Sequence, residues 1–378
     1  MLVIQSRLRL RKPFKIILYF LGFILVVFLV LFIYFNICKS NLMKLGYTEK
    51  ASYNIITKFK KDFAVKYPNN KTLNAAFESD DYKEENLDVY TKVKYQDHKN
   101  IIKSINLLID KKYSTRDISI ILAHGNDSDV LEFAKKDKIK YLEEFYSYDY
   151  AKIKNYDRYI AHMDLNGDDE ETTIIKVNMN IDKEDYTDAV LIDDYNKTVI
   201  ANKHFYLGKD YIPKNLISFP DGYSKNSNYD AKGEKEAVNA AIVMIDAARS
   251  EGYDLRINSA YRSYDDQVKI YDSYLGLYGQ SYVDNYVSKP GYSEHQTGYA
   301  FDFASGNNNV FENSNEYKWM IKNSYKYGFV YRFLKSKEEI TEIKHEAWHF
   351  RYVGKEIAEV MDKKELCFEE YYAMYLDK

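Results

Sequence analysis

Two histidines and a glutamate stand close together in the segment HEAWH, residues 345–349. The segment fits H-E-x-x-H, the pattern that in zinc proteases places two histidines on one face of a helix, with the glutamate as general base. A helix here would make His345 and His349 joint metal ligands, completed by a downstream acid such as Glu365 or Glu369. The chemistry indicated is metal-assisted hydrolysis, provided that the segment is helical.

The residues around this segment favour a strand over a helix. Trp348 and Phe350 flank His349, and the alternation continues through the letters RYV, a pattern typical of a β-strand. In a strand, His349 faces into a site while Trp348 and Phe350 pack into the core. Glu346 then lies just before the strand, near enough to reach a water at a metal ion. The direction of His345 stays open.

Another pair of metal-binding residue types lies earlier in the chain, in the letters SEHQTGYAFDF. Strand alternation places Asp302 between the small residues Ala300 and Ala304 on one face, which leaves room for an ion. Gly298 permits the tight turn that brings His295 back beside Asp302. The segment predicts a half-site with two ligands, and a solvated surface aspartate is the alternative.

These patterns occur together, and in this order, in a known family. The pattern S-x-H-(x)6-D at 293–302, followed by E-x-W-H at 346–349, resembles the zinc D-alanyl-D-alanine carboxypeptidases related to the vancomycin-resistance enzyme VanY. The letters SAYRSYDDQ, residues 259–267, resemble a third motif of that family. The resemblance covers residues 199–375, and the histidine at 345 is not part of the family's pattern.

The resemblance implies a catalytic zinc site. Its ligands would be His295, Asp302 and His349, a set of two nitrogens and one oxygen that leaves a position for water. Glu346 would take a proton from the water and pass it to the leaving amine. On this interpretation Zn²⁺ is the cofactor, and His345 is a bystander.

The resemblance also assigns the remaining site residues. Arg262 is the candidate for stabilising the developing negative oxygen, because its charge is permanent and its donors are planar. Ser293 is expected to hydrogen-bond the terminal carboxylate of the substrate. Gln267 and Ser259, both in the third motif, are expected to contact the peptide.

The elements that must position these residues predict an α+β fold. Helices and strands are mixed without regular alternation, which favours a small antiparallel sheet flanked by helices over 172–378. The expected helices are 233–250, 264–279 and 315–328, and the expected strands are 172–181, 198–207, 253–263, 298–304 and 348–353.

A membrane anchor is predicted at the N-terminus. Ile16 to Phe35 is a stretch without a charged residue and is long enough to cross the roughly 30 Å hydrocarbon core of a bilayer. Arginines and lysines precede it, so residues 1–15 are predicted to be a cytoplasmic tail and 16–37 the transmembrane helix. The chain after the helix then lies outside the cell membrane. A cleaved signal peptide is the alternative, but no A-x-A-like site follows.

The region 40–165 is predicted to be helical and repeat-like, a stalk between anchor and enzyme. LGYTEKASYNIITKF from Leu45 resembles KKYSTRDISIILAHG from Lys111, and YKEENLDVYTKV from Tyr82 resembles YAKIKNYDRYIA from Tyr150. The two helical units would stack on each other and bury their apolar faces together. Chance similarity between amphipathic helices is the alternative.

The overall composition excludes several classes of function. The net charge of −3 gives no basic excess for nucleic acid, so none is expected as a partner. Cys38 and Cys367 are too few and too far apart for a disulfide framework, and lipidation of Cys38 is not favoured by the letters before it. The expected partners are the membrane and a peptidoglycan stem peptide, and the oligomeric state stays open.

The leading functional hypothesis is an extracytoplasmic zinc D,D-carboxypeptidase that removes the terminal D-alanine from peptidoglycan stem peptides. An L,D-carboxypeptidase or a D,D-dipeptidase would use the same residues on the same substrate class. The helical zinc protease that the H-E-x-x-H pattern indicates and a non-catalytic protein that binds the cell wall are the remaining alternatives.

Overall fold

The computed structural model describes residues 12–136, 139–307 and 310–377. Residues 1–11, most of the predicted cytoplasmic tail, lie outside the described part. The chain divides into two compact units, Met1–Glu143 and Glu144–Lys378. The limits predicted from the sequence for the helical region and the enzyme remain predictions.

The first unit begins with a single long helix, α1 (Lys12–Lys44). It is long and apolar enough to cross a membrane, and the side chains of its apolar stretch are exposed along its whole length. Cys38 and Leu42, after that stretch, are buried. The helix therefore fits a single-pass anchor whose last turns belong to the folded part of the unit.

The remaining helices of this unit are short. They are α2 (Glu49–Thr57), α3 (Lys61–Ala64), α4 (Lys71–Glu78), α5 (Leu87–Lys92), α6 (Ile101–Asp110), α7 (Thr115–His124) and α8 (Asp127–Phe133), with α9 (Leu142–Phe145) at the boundary. Polar side chains cap several of them. Thr48 accepts a hydrogen bond at the start of α2, and Ser114 forms a capping box at the start of α7.

A buried cluster of hydrogen bonds occurs twice in the helical region. In the first copy the amide of Asn86 and the hydroxyl of Tyr90 both donate to Oδ1 of Asn106, at 2.7 and 2.6 Å. The second copy repeats both contacts, at 2.9 and 2.7 Å, with Asn155, Tyr159 and Asn178. Because the same buried polar arrangement recurs, the two stretches have the same local structure, and the second stretch runs past residue 165.

The second unit continues with two helices, α10 (Tyr156–Asn166) and α11 (Glu170–Asn178). The strand predicted over 172–181 is wrong, because residues 172–178 belong to α11 and 179–181 form the turn after it. Asp169 caps this helix by accepting from the amide of Thr172 at 2.8 Å. Ile174 and Val177 are fully buried at helical spacing, so tertiary packing outweighs the β preference of the branched residues.

Helices and short strands alternate irregularly through the rest of the unit. Its strands are β1 (Val190–Ile192), β2 (Phe205–Leu207), β3 (Leu216–Ser218), β4 (Lys232–Glu234), β5 (Leu255–Ser259), β6 (Ala300–Ser305), β7 (Phe329–Tyr331) and β8 (His349–Tyr352). Its helices after α11 are α12 (Lys235–Ser250), α13 (Tyr264–Tyr278), α14 (Gln280–Tyr286), α15 (Asn315–Asn323), α16 (Glu338–Thr341), α17 (Lys355–Lys364) and α18 (Phe368–Tyr371). Of the segment 198–207, which was predicted to be a strand, only β2 is one.

A four-stranded antiparallel sheet with the order β5-β6-β8-β7 lies at the centre of this unit. The predicted α+β fold with a small antiparallel sheet is confirmed. Phe301, Phe303 and Phe350 are buried on one face of the sheet, in a core shared with Ala237, Ala241 and other apolar residues of α12. The opposite face carries the polar residues of β6 and β8, and the candidate site lies there.

Candidate active site and metal centre

His295 is positioned by a short 3₁₀ helix, Glu294–Thr297, that ends at Gly298. Gly298 has a φ of 73°, in the left-handed region that favours glycine, and it turns the chain directly into β6. The Nδ1 atom of His295 lies 2.7 Å from the carbonyl oxygen of Ala260, to which it must donate. The lone pair of Nε2 therefore faces the site, 3.4 Å from Oδ1 of Asp302.

Sheet register brings Asp302 and His349 together. They are direct partners across β6 and β8, and Ser259 of β5 lies opposite Asp302 on the other side. The Nδ1 atom of His349 is 3.0 Å from Oδ1 of Asp302, and Nε2 is 3.2 Å from Oε2 of Glu294. A pairing shifted by one residue would turn either side chain to the core face, so the register is essential to the site.

The three residues form a cluster that fits a metal ion. One ligand atom from each of His295, Asp302 and His349 lies within 4.8 Å of the other two, and all three side chains are buried. The carbonyl oxygen of Ala260 holds Nδ1 of His295, and the carboxylate of Glu294 holds Nε2 of His349. The other ring nitrogen of each histidine therefore faces Oδ1 of Asp302. Three acceptor atoms that converge in a buried space require a cation or a proton between them.

Burial and the neighbouring charges indicate which of these groups holds a proton when no cation is bound. Burial lowers the pKa of His295 to about 4, and the charge of Arg262 acts in the same direction. Burial also disfavours the charged form of His349, but hydrogen bonds to Asp302 and Glu294 overcome it and raise its pKa to about 9. At neutral pH, His349 therefore carries a proton on the side where a metal ion would bind.

The affinity for zinc is expected to rise with pH for this reason. Binding must displace the proton of His349, so between about pH 7 and 9 each unit of pH should increase the apparent affinity about tenfold, with a plateau above. Competition against a chelator with known pH dependence measures this. The same affinity at pH 7 and pH 9 would contradict the protonated state of His349.

Glu346 lies at the edge of the cluster. Its Oε2 atom is 3.9 Å from Nδ1 of His349. Burial raises its pKa to about 7, against the opposing charge of His349. A carboxyl group that changes its protonation near neutral pH, beside a metal-binding cluster, can accept a proton and return it.

The helical interpretation of residues 345–349 is wrong. The backbone makes a turn in which the amide of His349 donates to the carbonyl of Glu346 at 3.2 Å, and β8 begins at His349. The ring of His345 points to Tyr331 instead, with its Nε2 3.0 Å from the hydroxyl. Glu369 is bound to Arg332 at 2.5 Å and is not a metal ligand of the H-E-x-x-H type.

Trp348 corrects one expectation about the strand. Phe350 is fully buried as predicted, but Trp348 is 42% exposed and lines the cleft beside the metal-binding cluster. The reason is that β8 begins at His349 and not at Trp348 as predicted. Trp348 therefore belongs to the turn and does not follow the alternation of the strand.

All eight residues predicted for the site line one cleft of about 350 Å³. They are Ser259, Arg262, Gln267, Ser293, His295, Asp302, Glu346 and His349. The structure thus brings together three separate segments of the chain, 259–267, 293–302 and 346–349. The part that each residue takes in a reaction is a proposal.

The four predicted residues outside the metal-binding cluster differ in how they are held. Arg262 has a buried Nε without a partner among the described residues. The amide nitrogen of Gln267 donates to the carbonyl of Ser288 at 2.8 Å, while its Oε1 has no partner in the described part of the chain. Ser293 is buried next to His295, and Ser259 ends β5. Arg262 and Gln267 therefore offer free polar atoms to a ligand.

An ion network behind His349 was not foreseen from the sequence. Glu294 accepts from Nε of Arg332 at 2.8 Å, and Arg332 also donates to Glu369 at 2.8 and 2.5 Å. Arg351 approaches Glu294 at 3.5 Å. Burial favours the protonated form of Glu294, but Arg332, Arg351 and His349 hold its pKa well below the usual range. The charged carboxylate in turn orients the ring of His349.

Replacing Glu294 with glutamine is expected to destabilise the second unit by about 3–5 kcal/mol, because it leaves buried arginine charge uncompensated. Both tryptophans, Trp319 and Trp348, lie in this unit, so tryptophan fluorescence during urea unfolding reports on it. The matched control Asp230→Asn removes the same charge from an exposed pair with Lys232 and should leave the unfolding midpoint unchanged. Equal midpoints for both variants would contradict a structural role of the network.

A second group of candidate ligands, Asp185, His204 and Glu342, already has internal partners. Glu342 lies 2.7 Å from Nε2 of His204, and the ammonium group of Lys203 lies 2.6 Å from Asp185. The charge of Asp185 is thus already paired with a lysine, and Glu342 with His204. The cluster around Asp302 is therefore the better metal site.

Comparison with known proteins decides the family. A sequence model described as VanY, D-alanyl-D-alanine carboxypeptidase, matches residues 230–355. The putative carboxypeptidase YodJ of Bacillus subtilis is 40% identical over 183 residues, which are 47% of this chain and 67% of YodJ. This chain belongs to the VanY family. The matched segment contains all eight residues predicted for the site, and two relatives are named D-alanyl-D-alanine carboxypeptidase. This member of the VanY family is therefore an enzyme of the carboxypeptidase type.

Two further proteins are similar to part of this chain. A D-alanyl-D-alanine carboxypeptidase of Enterococcus faecalis is 36% identical over 138 residues, which are 34% of this chain and 51% of that protein. The solved LdcB LD-carboxypeptidase is 38% identical, with a TM-score of 0.47, and the match covers 50% of this chain and 91% of that one.

Proposed function

We propose that this protein is a zinc-dependent D,D-carboxypeptidase that removes the terminal D-alanine from peptidoglycan stem peptides. The observation that carries the proposal is the convergence of His295, Asp302 and His349 in one cleft with Glu346 and Arg262. Two imidazole nitrogens and one carboxylate oxygen are the donor set of a catalytic zinc ion. Relatives named D-alanyl-D-alanine carboxypeptidase support the choice of substrate.

The residues of the cleft divide the reaction between them. His295, Asp302 and His349 would hold a zinc ion, which when bound would polarise the scissile carbonyl as a Lewis acid. Glu346 takes a proton from the attacking water and gives it to the leaving amine, a task that suits a pKa of about 7. Arg262 stabilises the negative charge that develops on the carbonyl oxygen.

Substrate binding is assigned to the remaining polar groups. The hydroxyl of Ser293 binds the terminal carboxylate, and the free Oε1 of Gln267 accepts from a peptide amide. Ser259, opposite Asp302 in the sheet, contacts the peptide at the floor of the cleft. A buried acceptor such as Oε1 of Gln267 gains most from a donor that the substrate brings.

The proposed location is the outer side of the cell membrane. Arg7, Arg9, Arg11, Lys12 and Lys15 precede the apolar stretch, and an excess of basic residues is typical of the cytoplasmic side. The helix α1 then crosses the bilayer once, and the catalytic unit faces the cell wall.

A panel of purified muropeptides tests the bond that is cleaved. With pentapeptide, tetrapeptide and tripeptide stems, we expect loss of a single alanine from the pentapeptide alone, measured by product mass. Conversion of tetrapeptide to tripeptide would instead identify an L,D-carboxypeptidase, and release of a D-Ala-D-Ala dipeptide would identify a D,D-dipeptidase. An unchanged panel with zinc-loaded protein would favour a non-catalytic wall-binding role.

A further inference from the structure

Phe59 is exposed in a way that needs a physical explanation. It lies in the loop between α2 and α3, its side chain is 93% exposed, and its φ of 57° places it in the left-handed region. That conformation is uncommon for a residue other than glycine, and it costs more for a bulky side chain. The backbone conformation closes α2, because the amide of Lys60 donates to the carbonyl of Ile55 at 2.8 Å. The ring itself is left in solvent and is therefore available for a contact outside the folded chain.

The helix that follows the apolar stretch holds the first unit in a fixed position. Cys38 and Leu42 of α1 are buried, the rings of Phe35 and Tyr53 lie 5.6 Å apart, and Lys39 pairs with Glu49 at 2.8 Å. The folded helices α2 and α3 therefore begin immediately where the apolar stretch Ile16–Phe35 ends.

The loop lies level with the end of that stretch. The ammonium group of Lys61 is 3.5 Å from the hydroxyl of Tyr34 and 5.3 Å from the centre of its ring. Tyrosines near the end of a membrane helix sit at the level of the lipid headgroups. Phe59, two residues before Lys61, is thus close to the same level.

The charges around Phe59 suit a lipid surface. Lys58 is exposed and lies over the ring of Tyr82, while Lys60 pairs with Glu84. Lys61 approaches Tyr34, and Asp62 is the acidic neighbour on the loop. Lys58 on one side of Phe59 and Lys60 and Lys61 on the other thus place ammonium groups around the ring, and such groups can pair with lipid phosphates at either face of a bilayer.

We propose that residues 58–61 form an interfacial anchor, with the ring of Phe59 inserted at the boundary between headgroups and acyl chains of the bilayer that α1 spans. Exposed aromatic rings flanked by lysines bind membranes in this way. The inference rests on the proposed membrane span of α1. Its consequence is that the first unit is attached to the bilayer at two points, by α1 and by the loop, which fixes its orientation.

Spin labelling of the full-length protein in liposomes tests this anchor. The variant Phe59→Cys carries a nitroxide, and the matched control is Leu131→Cys on α8, another exposed apolar position in the same unit. Both native cysteines are buried, and protein without a new cysteine gives the background. Circular dichroism of both variants verifies that the fold is intact.

The expected result is a severalfold rise in accessibility to oxygen relative to a water-soluble nickel chelate at position 59 and no rise at position 131. A ratio of oxygen to nickel-chelate accessibility typical of a label in water at both positions would overturn the anchor. Phe59 would then be expected to contact a protein partner. Resistance to alkaline carbonate extraction measures the span of α1 separately. Extraction of the protein from the vesicles would therefore signal failure of the span on which the anchor depends.

Discussion

Replacing Glu346 with glutamine is expected to reduce kcat by about 10²–10⁴-fold while zinc stays bound. Glutamine has the shape of the protonated carboxyl group, so the turn before β8 is kept. The amide cannot accept the proton of the attacking water, and the proton transfer to the leaving amine is lost with it. Steady-state release of D-alanine and the zinc content of the same preparation measure the two quantities.

The matched control for this variant is Glu312→Gln. Glu312 is an exposed carboxylate 3.5 Å from His345, so the substitution makes the same change of charge close to the segment but outside the cleft. Its kcat should equal that of the unaltered protein. Full activity of Glu346→Gln would contradict the assignment of Glu346 as the proton carrier, and loss of its zinc would show that the residue acts on the metal instead.

Replacing His349 with alanine is expected to abolish zinc binding, because one of the three proposed ligands and the partner of Asp302 disappear together. Replacing His345, which belongs to the same H-E-x-x-H pattern, should leave the zinc content unchanged. The ring of His345 contacts Tyr331 and not the cluster. Metal analysis after dialysis against a weak chelator measures both variants.

The comparison between the two histidines separates a strand-borne site from a helical one. In a helical site both substitutions would remove the metal to the same degree. Zinc loss in His345→Ala with retention in His349→Ala would contradict the ligand set itself. Unfolding followed by tryptophan fluorescence establishes that each variant is folded before its metal is measured.

Local patterns were sufficient to predict much of the site. Alternation around His349 and Asp302 placed each residue on the polar face of a strand, and Gly298 predicted the turn that carries His295 back. Both inferences depend on neighbours in the chain, which a sequence contains. The family resemblance supplied what local patterns could not, namely that these segments meet with Arg262 and Gln267.

Other features depend on packing between distant segments. Arg332 pairs with both Glu294 and Glu369 and so joins three separate segments of the chain. Only the strand position of Arg351, two residues after His349, hinted that an acid was needed nearby. The helix α11 was mistaken for a strand, since burial of Ile174 and Val177 overrides their β preference.

In the helical repeat, too, the sequence predicted the local pattern but not the contacts between distant residues. Similar letters predicted two related copies, but the buried asparagine of each copy was not singled out. Asn106 and Asn178 become recognisable only once each accepts from a tyrosine and a second asparagine. A buried polar group has to be satisfied, and its partners are known only from the fold.

The central claim is that His295, Asp302 and His349 hold a zinc ion that serves carboxypeptidase chemistry. The most direct test measures D-alanine released from a pentapeptide muropeptide by full-length protein that is first stripped of metal and then titrated with zinc. We expect no release without metal, and recovery that saturates at about one zinc ion per chain, with a tetrapeptide as the other product. Release by the stripped protein at the same rate, or zinc binding at full stoichiometry without any release, would contradict the claim.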